Sequence, residues 1–186
     1  MRAFVAIAMP EAVAAQAAHL QALLGCGRAV PEEALHLTLA FLGEIGPAQA
    51  EELDAELQGI AAPVFALELA GLETLGGEWP GGLVWRARAC APLERLQRAV
   101  VAAARGAGID LPRRRFRPHV TIARFGRGAG PAEAARLGRL MQARGDAVSG
   151  AFMVGGFTLY RSHLRAEGPI YEVLADYPLD DGRGIA

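Results

Sequence analysis

The pattern of apolar and polar residues divides the chain into short runs typical of β-strands and longer segments with helical spacing. Seven apolar or alternating runs are predicted to form strands, at residues 2–8, 35–42, 64–75, 82–89, 117–125, 150–160 and 170–177. Four periodic segments are predicted to form helices, each with a proline in its first turn, at residues 10–24, 47–60, 92–105 and 131–144.

The order of these elements indicates the fold class. Strands follow one another directly in several places, so the chain lacks the regular strand–helix alternation of a parallel α/β protein. We therefore predict an α+β fold with largely antiparallel sheets flanked by helices. The 186 residues suit one domain or two tightly joined lobes, and no flexible linker interrupts them.

Composition narrows the class of protein. Hydrophobic residues make up 52% of the chain, which excludes a wholly disordered protein. No apolar run reaches the roughly 18–20 residues that span a bilayer, and residues 1–10 are predicted to be a first buried strand rather than a signal peptide. Two cysteines, Cys26 and Cys90, are too few for a disulfide-stapled secreted scaffold, so we expect free thiols and a cytoplasmic location.

Basic residues are unevenly distributed along the chain. All 19 are arginine, so any mechanism that needs a lysine is excluded. Residues 1–80 carry two arginines against eleven acidic residues, whereas residues 81–186 carry seventeen arginines against nine. The densest cluster, Arg113–Arg117, contains an aromatic residue and is followed by Arg124 and Arg127, an arrangement that favours a phosphate-bearing ligand. A solvated loop is the alternative, and charge alone favours it.

One short sequence pattern occurs twice. Residues 35–43 read LHLTLAFLG and residues 118–126 read PHVTIARFG, so a His-apolar-Thr-apolar-Ala pattern recurs. The two histidines, His36 and His119, are 83 residues apart. A single His-x-Thr in a strand is most often incidental surface, but its recurrence with matching apolar neighbours favours an active site.

The repeated pattern places the same chemical groups on one face of each strand. Because alternate side chains of a strand share a face, His36 and Thr38 are predicted to project together, as are His119 and Thr121. If the two strands face one another, two imidazoles and two hydroxyls surround a space the size of a small anion.

Two imidazoles in one site can act as a general base and a general acid. The imidazole group titrates near pH 6.5, so one ring can be neutral and the other protonated near neutrality. Threonine hydroxyls can donate hydrogen bonds to phosphoryl oxygens. The chemistry that fits is attack of water on a phosphodiester, with a proton delivered to the leaving oxygen. Metal ligation is a rival interpretation, but threonine is a poor ligand and neither motif contains Asp or Glu.

With these motifs the chain resembles the two-histidine phosphoesterase superfamily. Within that superfamily it looks like the bacterial and archaeal RNA 2′,3′-cyclic phosphodiesterases, also called 2′-5′ RNA ligases. The matching segments cover nearly the whole chain and comprise Arg2–Ile7, Val30–Glu32, Leu35–Leu39, Phe41–Gly43, Leu83–Trp85, Phe116–Arg124, Leu159–Ser162, Gly168 and Tyr171–Leu174.

The resemblance implies a bilobal α+β fold over residues 1–186, with two pseudo-symmetric halves and an active cleft between them. It implies metal-independent hydrolysis of an RNA 2′,3′-cyclic phosphate end to a 2′-phosphomonoester, with no cofactor. By the family assignment His36 is the proton donor to the leaving oxygen and His119 is the base that activates water. Thr38 and Thr121 are implied to hold the phosphoryl oxygens, and joining of RNA ends through a 2′-5′ bond is implied as a side activity.

Two flanking residues are further candidates for binding substrate. Phe41 and Arg124 each lie five residues after a motif histidine, and strict alternation would turn both away from the histidines unless a bulge redirects them. The family pattern has a basic residue near the phosphate at the position of Arg124. Phe41 either stacks on a base or packs in the core. The roles of Arg161 and Ser162, which match the family pattern, stay open.

The expected partner is an RNA with a 2′,3′-cyclic phosphate end, such as a tRNA fragment. No membrane and no obligate protein partner are expected, and the chain is predicted to be a monomer. A phosphodiesterase for a small nucleotide, such as an ADP-ribose cyclic phosphate, is one alternative function. A non-catalytic RNA-binding module is the other, although binding alone would not need paired imidazoles.

Overall fold

The fold is taken from a computed structural model of the chain. The structure describes residues 1–77, 80–112, 115–126, 130–165 and 168–180. Three arginines of the basic segments singled out above, Arg113, Arg114 and Arg127, lie outside the described residues.

The described residues form four α-helices, nine strands and one short 3-10 helix. The α-helices are α1 (Glu11–Leu24), α2 (Pro47–Gln58), α3 (Ala91–Gly106) and α4 (Pro131–Arg144). The strands are β1 (Arg2–Ala8), β2 (Arg28–Ala29), β3 (His36–Glu44), β4 (Phe65–Gly76), β5 (Pro80–Ala87), β6 (His119–Arg124), β7 (Val148–Val154), β8 (Gly156–His163) and β9 (Ile170–Pro178). The 3-10 helix spans Glu32–Ala34.

The strands form one continuous path in the order β7-β4-β5-β6-β3-β1-β8-β9, and β2 pairs with β6 beside this path. Neighbouring strands run antiparallel. The path consists of two sets of four strands. We call β9-β8-β1-β3 the His36 half and β6-β5-β4-β7 the His119 half. This arrangement confirms the predicted α+β class with largely antiparallel strands.

Two helices pack against the half of the sheet that does not contain the strand preceding them in the chain. Helices α2 and α3 pack against each other and against β9 and β3 of the His36 half, and α3 also contacts β4 of the His119 half. Helices α1 and α4 pack against each other and against β6 and β4 of the His119 half. Helix α1 follows β1 and helix α3 follows β5, so each of these two helices covers the half opposite to its preceding strand. Because α3 contacts strands of both halves, it links the two halves.

The predicted periodicity of the first helix is confirmed. Its apolar residues Val13, Ala17, Leu20 and Leu24 are all buried, as one face of an amphipathic helix requires. The helix ends at Gly25, which takes a left-handed conformation with φ of 60° that glycine adopts without steric cost. Helix α1 therefore begins and ends where the sequence indicates.

One predicted strand is wrong. The structure divides residues 150–160 between two strands, β7 and β8, which are separated by Gly155. Strand β7 pairs with β4 in the His119 half, whereas β8 pairs with β1 and β9 in the His36 half. The chain therefore crosses from one half to the other at this glycine. The short β2 and the 3-10 helix were not predicted either.

Within the part of the chain that the structure describes, no helix is both long and apolar enough to cross a membrane.

Candidate active site

Strands β3 and β6 are adjacent and antiparallel, and they join the two halves. Among the described residues they pair in register at one position, Leu37 with Val120. Each of these residues directly follows a motif histidine, so His36 and His119 lie on either side of the seam. The seam therefore brings together the two motifs that are far apart in sequence.

The two motif strands share one pattern of burial over their first six residues. The histidines and threonines are half-buried on one face, and the intervening apolar residues are buried on the other. The fourth and fifth residues are both buried and the sixth is exposed in each strand. This confirms that His36 and Thr38 project together, as do His119 and Thr121.

Each motif strand carries a bulge at the same place. Pairing of β1 with β3 skips Leu39, and pairing of β5 with β6 skips Ile122. Because a bulge inserts one extra residue, it reverses the alternation of faces beyond it. Strict alternation is therefore broken in both strands, and Phe41 and Arg124 return to the face of the histidines.

The positions of Phe41 and Arg124 agree with this reversal. Phe41 pairs with Phe4, whose ring centroid lies 4.8 Å from that of His36. The Phe41 side chain is 67% exposed, so it does not pack in the core. Arg124 lines a cavity together with His36 and acts electrostatically on that ring.

The two histidines make the same backbone hydrogen bond. Nδ1 of His36 lies 2.7 Å from the carbonyl oxygen of Ala34, and Nδ1 of His119 lies 2.7 Å from that of Arg117. A carbonyl oxygen only accepts hydrogen bonds, so Nδ1 of each ring carries the hydrogen. Nε2 of each ring is therefore the nitrogen that can gain or lose a proton in chemistry.

Aromatic rings surround His36. The centroid of Phe4 lies 4.8 Å from that of His36, and Tyr171 meets His36 edge-on at 5.2 Å. Tyr160 stacks on Phe4 at 5.1 Å. This apolar packing favours the uncharged imidazole, because it removes water from the charged form.

The surroundings of His36 lower its pKa. Burial lowers the pKa of His36 most, the hydrogen bond to the Ala34 carbonyl opposes this shift, and the nearby charges of Arg124 and His119 add to it. The protonated form of His36 is therefore a stronger acid than an ordinary imidazolium.

A cavity of about 290 Å³ lies beside His36. Thr121 and Arg124 line it from β6, Arg28 lines it from β2, and Tyr171 closes one side from β9. Apolar residues line much of the remaining wall. The cavity thus combines one imidazole, one hydroxyl and guanidinium groups with an apolar surface, which is the composition of a site for a small anionic ligand.

The described residues contain no group of three or more His, Cys, Asp or Glu side chains that could hold one metal ion.

The model of the 2′-5′ RNA ligase superfamily matches residues 9–165, which include both motif strands. The chain belongs to this superfamily. An RNA 2′,3′-cyclic phosphodiesterase of Geobacillus stearothermophilus is 38% identical over 160 residues, which are 83% of this chain and 49% of that protein. The chain therefore spans about half the length of that relative. An RNA 2′,3′-cyclic phosphodiesterase of Aeropyrum pernix is 30% identical over 149 residues, which are 79% of this chain and 83% of that protein.

The fold of this superfamily member agrees with that of a solved structure. The crystal structure of TT0787 of Thermus thermophilus matches with a TM-score of 0.78 and 26% identity, over 96% of this chain and 97% of that chain. The expected family and fold class are thus confirmed.

Several residues around the superfamily motifs have no motif of their own. Gln21 of α1 donates to the carbonyl of Ile122 at 2.8 Å, and Gln97 of α3 reaches the carbonyl of Leu39 at 3.5 Å. The two carbonyls occupy equivalent places, each three residues after a motif histidine. No local signal marks either glutamine in the sequence, whereas Tyr171 lies in a segment that resembles the family.

Proposed function

We propose that this superfamily member hydrolyses RNA 2′,3′-cyclic phosphate ends to 2′-phosphomonoesters without a metal ion. The observation that carries the proposal is the matched hydrogen bonding of His36 and His119, which leaves Nε2 of both rings available for proton transfer. The names of the relatives support the choice of reaction.

In the proposed mechanism the two rings act on opposite sides of the phosphorus. Nε2 of neutral His119 accepts a proton from water while the water oxygen bonds to phosphorus. The bond between phosphorus and O3′ breaks, and Nε2 of protonated His36 gives its proton to O3′. Exchange with solvent then returns both rings to their starting states. Such acid–base assistance accelerates reactions by about 10²–10⁴-fold.

The lowered pKa of His36 has two consequences for its role as the acid. A stronger acid transfers its proton more readily, but fewer free enzyme molecules carry that proton at neutral pH. A bound phosphodiester anion offsets the repulsion from Arg124 and so favours protonated His36. We therefore expect His36 to become protonated when the substrate binds.

The remaining candidate residues are proposed to bind the substrate. The hydroxyls of Thr38 and Thr121 donate to the non-bridging phosphoryl oxygens, and the guanidinium of Arg124 balances their charge. Phe41 stacks on a base, which its exposure beside Phe4 supports.

Both motifs belong to one chain, and the proposed reaction needs both halves. We therefore propose that residues 1–186 act as a single two-lobed unit and as a monomer. The substrates are RNA ends in the cytoplasm, such as those of tRNA fragments. When a 5′-hydroxyl takes the place of water, the same geometry joins two RNA strands through a 2′-5′ bond.

A small cyclic-phosphate nucleotide is a second candidate substrate, because the cavity beside His36 has the size for a compact ligand. An open groove lined with arginines continues from His119 and offers room for a second RNA strand, which a phosphodiesterase for a small nucleotide would not need. Binding RNA without turnover would not need two histidines that both keep Nε2 available for proton transfer, and this argues against a module that only binds RNA.

A short RNA with a 2′,3′-cyclic phosphate end, incubated with the protein in EDTA, tests the proposal. Wild type is expected to yield the 2′-phosphomonoester, and His36→Ala and His119→Ala are each expected to be about 10²–10⁴-fold slower. His19→Ala changes an exposed histidine of α1 and is the matched control. Wild-type rates in both motif variants, or turnover only after a metal is added, contradict the mechanism.

A further inference from the structure

A large open groove begins at His119 on the side of the seam away from the cavity. Its volume is about 1270 Å³, and strands β4 and β5, the segment 115–118 and the first turns of α3 line it. Five arginines lie along it: Arg86, Arg88, Arg98, Arg115 and Arg117. We call this surface the arginine groove. The mechanism proposed above uses none of these side chains.

Acidic residues pair with four of these five arginines, Arg88 with Glu68 among them, and the three acidic side chains that line the groove, Glu73, Glu94 and Asp146, leave it with a net charge of +2. Glu73 pairs with both Arg86 and Arg117, so one carboxylate serves two guanidinium groups. Arg98 pairs with Glu94 at 3.8 Å across one turn of α3. Among the described residues Arg115 has no acidic partner within 4.0 Å.

The exposed guanidinium groups suit a polyanion. The side chains of Arg86, Arg98 and Arg117 are 57–65% exposed, so their ion pairs are weak and can give way to phosphate. Each arginine can bind one phosphate group through two parallel hydrogen bonds. A row of arginines therefore suits a ligand with several phosphates in succession, such as an RNA backbone.

If the proposed function holds, the position of the groove shows which RNA strand it binds. Displacement at phosphorus is in line, so the entering and leaving oxygens lie on opposite sides of it. The leaving O3′ and its nucleoside belong beside His36, where the cavity lies. The entering oxygen belongs beside His119, where the arginine groove begins. Whatever is attached to the entering oxygen therefore extends into the groove.

We infer that the arginine groove binds the RNA strand that carries the attacking 5′-hydroxyl during 2′-5′ joining. In that step O5′ bonds to phosphorus, its proton passes to Nε2 of His119, the bond from phosphorus to O3′ breaks, and His36 protonates O3′. The product is a 2′-5′ phosphodiester, and no other reactant is needed. Hydrolysis uses water at the same place and does not need the groove.

Two arginines of the groove provide the test. Arg98→Gln and Arg115→Gln, singly and together, remove charge from the groove. Arg95→Gln is the matched control, because Arg95 is exposed on the same helix but does not line the groove. Arg86 and Arg117 are left unchanged, since Arg86 pairs with His119 in the sheet and the Arg117 carbonyl holds that ring.

The experiment measures two reactions with the same proteins. One is joining of a cyclic-phosphate donor RNA to a 5′-hydroxyl acceptor RNA at increasing acceptor concentration, and the other is hydrolysis of the donor alone. The double variant is expected to raise the KM for the acceptor at least about fivefold and to reduce the dependence of joining on salt by about 0.7 in log–log slope per lost phosphate contact. Hydrolysis of the donor is expected to stay within about twofold of wild type for every variant.

The other outcomes overturn the inference in distinguishable ways. An unchanged acceptor KM in the double variant, or an equal rise in Arg95→Gln, means that the groove does not bind the acceptor. Equal loss of hydrolysis and joining assigns the groove to the donor strand instead. A wild-type protein that hydrolyses the donor but neither joins RNA nor cleaves a 2′-5′ linkage overturns the inference and the proposed joining, and leaves the proposed hydrolysis intact.

Discussion

Leu37 pairs with Val120 across the seam between the two motif strands, and each directly follows one of the two histidines. Both side chains are buried, with exposures of 0% for Leu37 and 1% for Val120. The relative position of His36 and His119 therefore depends on apolar packing on the opposite face of the sheet.

Leu37→Ala is expected to weaken both stability and catalysis. Removing a buried leucine side chain leaves a cavity at the seam and lowers the free energy of unfolding by about 2–5 kcal/mol. Loosening of the seam is expected to reduce kcat as well, because proton transfer needs both rings in place. Denaturant unfolding and initial rates at saturating substrate measure the two effects.

Leu37→Met is the matched variant for this test. It keeps the side-chain volume and is expected to lose less than about 1.5 kcal/mol and little activity. Full kcat per folded molecule in Leu37→Ala would show that the seam does not position the histidines.

The faces of the motif strands could be predicted from sequence, because the period of a strand is two and His36 and Thr38 are two residues apart. The bulges at Leu39 and Ile122 could not, since a bulge is a mismatch between two strands and the partner strands were unknown. The break between β7 and β8 does have a local signal, because the consecutive glycines Gly155 and Gly156 are typical of a turn or a break in a strand. The prediction of one strand over residues 150–160 did not take this pair into account.

Contacts between segments that are far apart in the chain could not be predicted from the sequence either. Gln21 donates to the carbonyl of Ile122, 101 residues further along the chain. The helix pattern shows only that α1 has one apolar face, and does not tell which half of the sheet that face covers. The packing of α1 and α3 against the half opposite to their preceding strands therefore became visible only in the structure.

Gln21→Leu is expected to destabilise the strand that carries Thr121 and Arg124. The Gln21 amide donates to the carbonyls of Val30 and Ile122, both at 2.8 Å. The Ile122 carbonyl still accepts from the Val30 N–H at 3.0 Å, so each lost Gln21 hydrogen bond is expected to cost about 0.5–1.5 kcal/mol. Denaturant unfolding measures this loss, and Gln142→Leu on the exposed surface of α4 is the control. Equal stability of the two variants would contradict a bracing role for Gln21.

His36 is expected to make stability depend on pH. Its pKa in the folded protein lies below the ordinary histidine value of 6.5. As pH falls through 6.5, the unfolded chain therefore binds a proton at this residue before the folded protein does, and stability decreases. The decrease ends once pH is below the folded pKa, because both states are then protonated.

The variant His36→Gln isolates this contribution. The free energy of unfolding, measured between pH 8 and pH 5, is expected to fall less steeply in His36→Gln than in wild type, by the share that His36 contributes. Parallel pH profiles for the two proteins would mean that the aromatic surroundings of His36 do not disfavour its charged form.

Phe41→Ala is expected to weaken substrate binding and leave the fold intact. The ring is 67% exposed at the edge of the aromatic group around His36, so its removal creates no buried cavity and the melting temperature should stay near that of wild type. Loss of stacking on one base costs about 1–3 kcal/mol, or about 5- to 150-fold in KM for a cyclic-phosphate RNA. Leu23→Ala removes an exposed apolar side chain from α1 and should change neither quantity. A lowered melting temperature with an unchanged KM would assign Phe41 to the support of Phe4 and not to the substrate.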